Sequence, residues 1–128
     1  MQQPEEILII EDEADIREGL RHLLEECGYR TRQAANGREA LSLLAGPRPL
    51  PDLILLDMKM PVMGGTEFTE EFIRGYDHLV PIVIMTAAAD ASEKATLVGA
   101  SNYLSKPFSM TALLAVLEKT LRDRRRSR

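Results

Sequence analysis

LILLDMKMPVMGG, residues 53–65, decides how this chain is read. Four aliphatic residues run straight into Asp57. Such a run suits a strand buried on both faces of a sheet. Burying a carboxylate without a partner is costly, so an acid at the end of that strand needs a reason. The strand would hold Asp57 rigidly and leave it reachable only from the carboxyl edge of the sheet. Pro61 stiffens the loop that follows, and Gly64 and Gly65 allow backbone conformations closed to other residues.

The segments on either side alternate between strand and helix patterns. EILII (6–10) is a short aliphatic strand. Ile16, Leu20, Leu23, Leu24 and Cys27 repeat at helical spacing, which places Cys27 on an apolar face, and Gly28 ends that helix. YRTRQAA (29–35) fits a strand with one polar face. Asn36 and Glu39 sit three apart, like a capping box, and open a helix that stops in GPRPLP (46–51). After the 52–57 strand come a helix over about 66–73 and a fourth strand, IVIMT (82–86). Asp90 and Glu93 open a short helix ending near Gly99. SNYLS (101–105) is the fifth strand. Ser109 caps a last helix with Met110, Leu113, Leu114, Leu117 and Leu121 on one face. Five strands alternating with five helices call for an α/β fold, a parallel sheet doubly wound with helices on both faces. In such open sheets, ligands bind at the carboxyl ends of the strands.

The 128 residues suit one domain, placed at 1–122, followed by a basic C-terminal tail at 123–128. Hydrophobic residues make up 45% and charged residues 28%, a globular balance. No apolar stretch approaches the ~18 residues of a membrane helix. MQQPEEILII has no signal-peptide features, and the single Cys27 cannot form an internal disulfide; the chain is expected to be cytoplasmic. The net charge is −4, but RDRRRSR (122–128) carries +4 and the other 121 residues carry −8. Nothing in the acidic body resembles a nucleic-acid surface. The basic tail could touch nucleic acid or a membrane, but such a run is more often a solvated helix end or linker, and arginines suit a helix C-terminus. His22 and His78 lie in no motif and receive no role.

The polar residues that interrupt the apolar strands all fall on the ligand-binding edge. Glu11 and Asp12 end the first strand, Asp57 the third, Thr86 the fourth and Lys106 the fifth. Three acids packed together repel, and one would hold a proton unless a cation were present. Oxygen ligands with no histidine or thiolate nearby favour a hard ion such as Mg²⁺, which suits a phosphate partner. A carboxylate can act as a nucleophile and form an acyl phosphate. Phosphoryl transfer needs positioning and charge neutralisation: the metal on one side, Lys106 on another oxygen, a hydrogen bond from Thr86.

With IIEDE (9–13), LILLDMKMPVMGG (53–65), IVIMTA (82–87) and NYLSKPF (102–108), in order and at these spacings, the sequence resembles the response-regulator receiver domain of two-component signalling, chemotaxis-regulator-like. The resemblance covers about residues 5–122 and implies the flavodoxin-like strand order 2-1-3-4-5. It implies that Asp57 accepts a phosphoryl group from a sensor histidine kinase or histidine phosphotransfer protein. Glu11, Asp12 and Asp57, with the backbone carbonyl of Lys59, would hold Mg²⁺. Lys106 would contact the phosphoryl group, and the Lys106–Pro107 bond would be cis. Thr86 would move toward the phosphoryl group and Tyr103 would swing inward, changing the face made by the fourth helix, fifth strand and fifth helix. That face would meet a downstream protein or output domain, with residues 90–122 mediating any phosphorylation-dependent dimer of an otherwise monomeric chain. Lys59 and Ala88 occupy the positions that tune dephosphorylation, and Ala88 cannot orient a water, which implies a long-lived adduct. Such a protein is a switch rather than an enzyme, with neither direct nucleic-acid binding by its body nor a membrane site.

Three other readings weigh less. An aspartyl-phosphate phosphohydrolase resembling the haloacid-dehalogenase class wants an acid two residues past the nucleophile, where Lys59 stands. A flavin carrier needs a Ser/Thr/Gly-rich loop where EDEAD (11–15) would repel the cofactor phosphate. A phosphate-independent receiver-like interaction module would not need the full set Glu11, Asp12, Asp57, Thr86 and Lys106.

Overall fold

The computed structural model describes residues 3–87, 89 and 91–127. The elements run β1 (Glu6–Ile10), α1 (Ala14–Glu26), β2 (Arg30–Ala34), α2 (Gly37–Leu44), β3 (Leu53–Asp57), α3 (Gly65–Tyr76), β4 (Ile82–Thr86), α4 (Ala91–Val98), β5 (Asn102–Ser105) and α5 (Met110–Arg126). The sheet order is β2-β1-β3-β4-β5, and every neighbouring pair is parallel.

The three central strands, β1, β3 and β4, are buried at every position. Their side chains alternate between two cores, as the period of a strand requires. Leu8, Ile10, Ile54, Leu56, Ile82 and Ile84 face Ala40 and Leu44 of α2, Phe68 and Phe72 of α3, and Ala95 of α4. Ile7, Ile9, Leu53, Leu55, Val83 and Met85 face Leu20 and Leu24 of α1 and Leu113, Leu117 and Leu121 of α5. The edge strands β2 and β5 are mixed because each has only one strand neighbour. Truncating a central side chain such as Leu55, fully buried, would leave a cavity costing roughly 3 kcal/mol.

Several local expectations need correction. Cys27 is exposed, because it is the C-cap of α1 and the chain turns away at Gly28 with φ +97°. Ile16 and Met110 are also exposed; they line an open groove between α1 and α5 with Leu23 and Phe108. The Asn36 side chain accepts from Glu39 N–H at 2.9 Å, but Glu39 Oε1 accepts from Ala35 N–H at 3.3 Å rather than from the cap residue. Helix α3 runs on to Tyr76 because Phe68, Phe72 and Tyr76 stack along it, with centroids 5.9 and 5.0 Å apart. The fifth helix passes residue 122 and continues to Arg126. Its end is held by Arg124 on Asp52 at 2.7 Å and by Arg125 near Glu5 at 3.6 Å, so most of the stretch set apart as a tail is helix. Asp90 lies outside the described residues, and with it the cap expected for α4.

The loop after β3 also departs from expectation. Gly64 is extended, with φ −82° and ψ −177°, a conformation open to any residue. Gly65 is required by space instead. A Cβ there would lie 2.5 Å from Met58 Sδ and 2.8 Å from Met58 Cα. Its N–H donates to Met58 O at 3.1 Å, folding the loop back onto the strand end. The left-handed residue in the loop is Val62, φ +70°.

Candidate functional site

The carboxyl ends of the strands bring the acids together. Glu11 leaves β1 with its N–H still bonded to Ala34 O at 3.1 Å. Asp57 is the last residue of β3, paired in register with Met85 of β4. Ligand oxygens of Glu11, Asp12 and Asp57 all lie within 4.8 Å of one another, with Asp12 the most open of the three. Asp12 and Asp57 border a cleft of about 570 Å³ whose walls also include Lys59, Thr86 and Lys106.

The electrostatics of the cleft are unbalanced. Lys106 Nζ donates to Asp57 Oδ1 at 3.1 Å and lies 3.7 Å from Glu11 Oε1. Burial works against the Lys106 charge, but its hydrogen bond and attraction to Asp57 outweigh that and raise its pKa. Glu11 is 1% exposed, and its Oε1 has no hydrogen-bond partner among the described residues. Burial first, then the charge of Asp57 and a hydrogen bond with Asp12, push its pKa from the ordinary 4.5 up to about 7. A buried carboxylate oxygen left without a hydrogen bond is rare. Here it belongs to a three-acid cluster whose oxygens suit a hard divalent cation. The cluster could therefore hold a metal ion.

The remaining predicted residues fall as follows. Thr86 is buried at the end of β4, and its carbonyl accepts from Lys106 N–H at 2.8 Å. Lys59 is exposed on the cleft wall. The Lys106–Pro107 bond is cis. Tyr103 is 38% exposed on β5, and Leu97 of α4 is 84% exposed. Ala88 lies outside the described residues. Glu13, Met58 and Lys94 also line the cleft, and sequence reading passed over them. Glu13 had a signal in the acidic run at 11–13; Lys94 had none, since its place depends on how α4 sits over the strand ends.

Residues 7–118 match the response regulator receiver domain. The chain belongs to this family. This receiver is 40% identical over 121 residues to the response regulator MprA of Mycolicibacterium vanbaalenii, covering 93% of this chain and 51% of that one. It is 41% identical over 122 residues to a probable transcriptional regulator, ycf27, of Porphyridium aerugineum, covering 94% of this chain and 49% of that one. It thus spans about half the length of the curated relatives it matches. Among solved structures, it is similar to the signal receiver domain of a histidine kinase from Syntrophus aciditrophicus. That match has a TM-score of 0.83 and 34% identity, over 93% of this chain and 91% of that one. The chemotaxis response regulator CheY4 of Vibrio cholerae matches with TM-score 0.82 and 32% identity, over 91% and 98%. The receiver is a signal-transduction domain of two-component systems. Among the described residues, no helix is long and apolar enough to cross a membrane.

Proposed function

We propose that this receiver accepts a phosphoryl group on Asp57 from a histidine kinase or histidine phosphotransfer protein, and that Glu11, Asp12, Asp57 and the carbonyl of Lys59 hold Mg²⁺ for the transfer. The observation that carries this reading is the buried Glu11 Oε1, which accepts no hydrogen bond among the described residues and has Lys106 only at 3.7 Å, in a three-acid cluster beside the Lys106–Asp57 pair. When bound, Mg²⁺ neutralises charge on the carboxylates and on the transferring phosphoryl oxygens. An Asp57 carboxylate oxygen forms a bond to phosphorus as the donor's phosphorus–nitrogen bond breaks, and the departing imidazole keeps that electron pair. Lys106, already 3.1 Å from Asp57, stays close to pair with a phosphoryl oxygen. Thr86, at the end of the adjacent strand, donates to another.

In this reading the output is a change of surface. Movement of Thr86 opens space for Tyr103, whose ring is partly exposed, and the α4–β5–α5 face changes for a downstream protein or output domain. The chain acts in the cytoplasm as a switch rather than a turnover enzyme, monomeric or dimerising through residues 90–122 on phosphorylation. The receiver body, 1–122, carries no direct nucleic-acid site and no membrane site in this reading.

Incubation with Mg²⁺ and a small acyl phosphate, followed by intact-mass measurement, tests it. One phosphoryl adduct that requires Mg²⁺ and is absent from Asp57→Asn is expected. An adduct that persists in the variant would overturn the assignment. Followed over time, the same adduct should decay faster in Ala88→Glu, since a carboxylate there can orient water.

A further inference from the structure

The β1–α1 loop that carries Glu11 and Asp12 is closed by one side chain from the first turns of α1. Arg17 Nη1 donates to the main-chain oxygen of Glu11 at 2.7 Å and reaches that of Asp12 at 3.5 Å. The N–H of Arg17 also donates to Glu13 O at 2.9 Å. One half-buried side chain therefore holds the Glu11 and Asp12 carbonyls, while the Glu13 carbonyl takes the first main-chain bond of the helix. Glu11 N–H is fixed to β2 at the other end of the loop, so the turn is held from both sides.

We infer that Arg17 is a positioning residue for the acidic cleft, clamping the loop so that the Glu11 and Asp12 carboxylates stay converged for a divalent cation. The inference rests on the Mg²⁺ reading above. The carboxylates repel one another, and Asp12, the most open of them, has the most freedom to swing into water. Both carbonyls are held by one nitrogen, Nη1, which the planar guanidinium carries in a fixed orientation. Groups that orient metal ligands without touching the metal commonly contribute ten- to a hundred-fold in metal affinity.

The clamp can be separated from a bystander by the sign of its effect. Arg17 is a positive charge near a cation site, so its Coulombic influence alone opposes metal binding. Removing a bystander arginine would tighten Mg²⁺ binding; removing a clamp would weaken it.

The experiment is calorimetric titration of Mg²⁺ into the parent, Arg17→Met and Arg17→Lys at one ionic strength. Urea denaturation in chelator reports the fold of each. Arg17→Met is expected to bind Mg²⁺ about ten-fold more weakly while remaining folded in chelator. Arg17→Lys keeps the charge but replaces the planar, rigid head with a shorter, more strongly hydrated ammonium, and is expected to weaken binding several-fold. Equal or tighter binding by Arg17→Met overturns the clamp, as does parent-like binding by Arg17→Lys, which alone decides if the methionine variant does not fold. A parent that binds no Mg²⁺ overturns the metal reading and the clamp with it, whereas a binding parent with an unaffected Arg17→Met removes the clamp alone.

Discussion

A buried glutamate stands at each end of β1, Glu6 opening it and Glu11 just past its last residue, and the two are treated in opposite ways. Glu6, at the amino end, is 4% exposed; Glu11, at the carboxyl end, is 1% exposed. Both Glu6 oxygens are occupied. Arg32 Nε and Nη2 hold Oε1 at 3.0 and 2.9 Å, Arg48 holds Oε2 at 3.0 Å, and Arg30 approaches it at 3.7 Å. Its N–H donates to Asp52 Oδ2 at 2.8 Å. Glu11 has Lys106 at 3.7 Å and an Oε1 that accepts no hydrogen bond among the described residues. Burial and charge alone do not mark a functional acid. The deficit of partners does, because a satisfied acid has no free energy to gain from a ligand, whereas Glu11 and its two neighbours do.

The largest effect should come from the satisfied end. Glu6→Ala strands Arg32, which is 8% exposed, as a buried cation without its carboxylate. Breaking such a pair typically costs ~3–5 kcal/mol. Urea denaturation should show a loss of about 3 kcal/mol, because Arg32 keeps its bond to Pro49 O at 2.8 Å. A loss below ~1 kcal/mol, the range of exposed pairs, would mean that Arg32 reaches water and that the two ends differ less than their geometry implies.

At the other end the sign reverses. Glu11→Gln removes a desolvated charge that Asp57 opposes. The metal-free protein should gain on the order of 1 kcal/mol near pH 8 and lose its metal affinity. The pH profile sharpens the contrast. Glu11 titrates near 4.5 in the unfolded chain and about 7 in the folded one. The folded state then binds the extra proton, so the stability that Glu11 contributes is greatest below about pH 4.5 and is lost as pH rises to about 7. The urea midpoint of the metal-free protein should follow that slope. Glu11→Gln should flatten it, and saturating Mg²⁺ should do so too, by taking the place of the proton. An unchanged slope in Glu11→Gln would assign the titration elsewhere.

The same two ends show what sequence could and could not convey. The aliphatic runs of β1, β3 and β4 announced a parallel sheet, and that topology alone put Glu11, Asp12, Asp57, Thr86 and Lys106 on one edge. Gly65 was correctly noticed for the wrong reason, since the proximity of Met58 is a property of the folded loop. The Glu6 cluster went unread altogether. A charged residue opening an otherwise apolar strand was a signal, but its partners lie 24, 26 and 42 residues away, beyond any periodic pattern. Arg17 was likewise silent, because an arginine that binds carbonyls looks in sequence like one that faces water. Periodicity reports faces and edges, whereas pairings between distant segments belong to the assembled molecule.

The smallest expected effect lies at the rim of the satisfied end. Arg124 reaches Asp52 at 2.7 Å across 72 residues, and both side chains are about a fifth to a quarter exposed, at 20% and 24%. Asp52 retains the Glu6 N–H when Arg124 is lost, so no buried charge is stranded. Arg124→Gln should cost ~0.5–1 kcal/mol, the upper part of the range for exposed pairs, read by urea denaturation and by faster hydrogen exchange confined to the last turn of α5. If it instead costs as much as Glu6→Ala, the arginines, Glu6 and Asp52 act as one cooperative network rather than a buried pair with a soft rim. The fixed end of β1 would then extend through α5, and the carboxyl edge would be the single part of the sheet left free to change with a ligand.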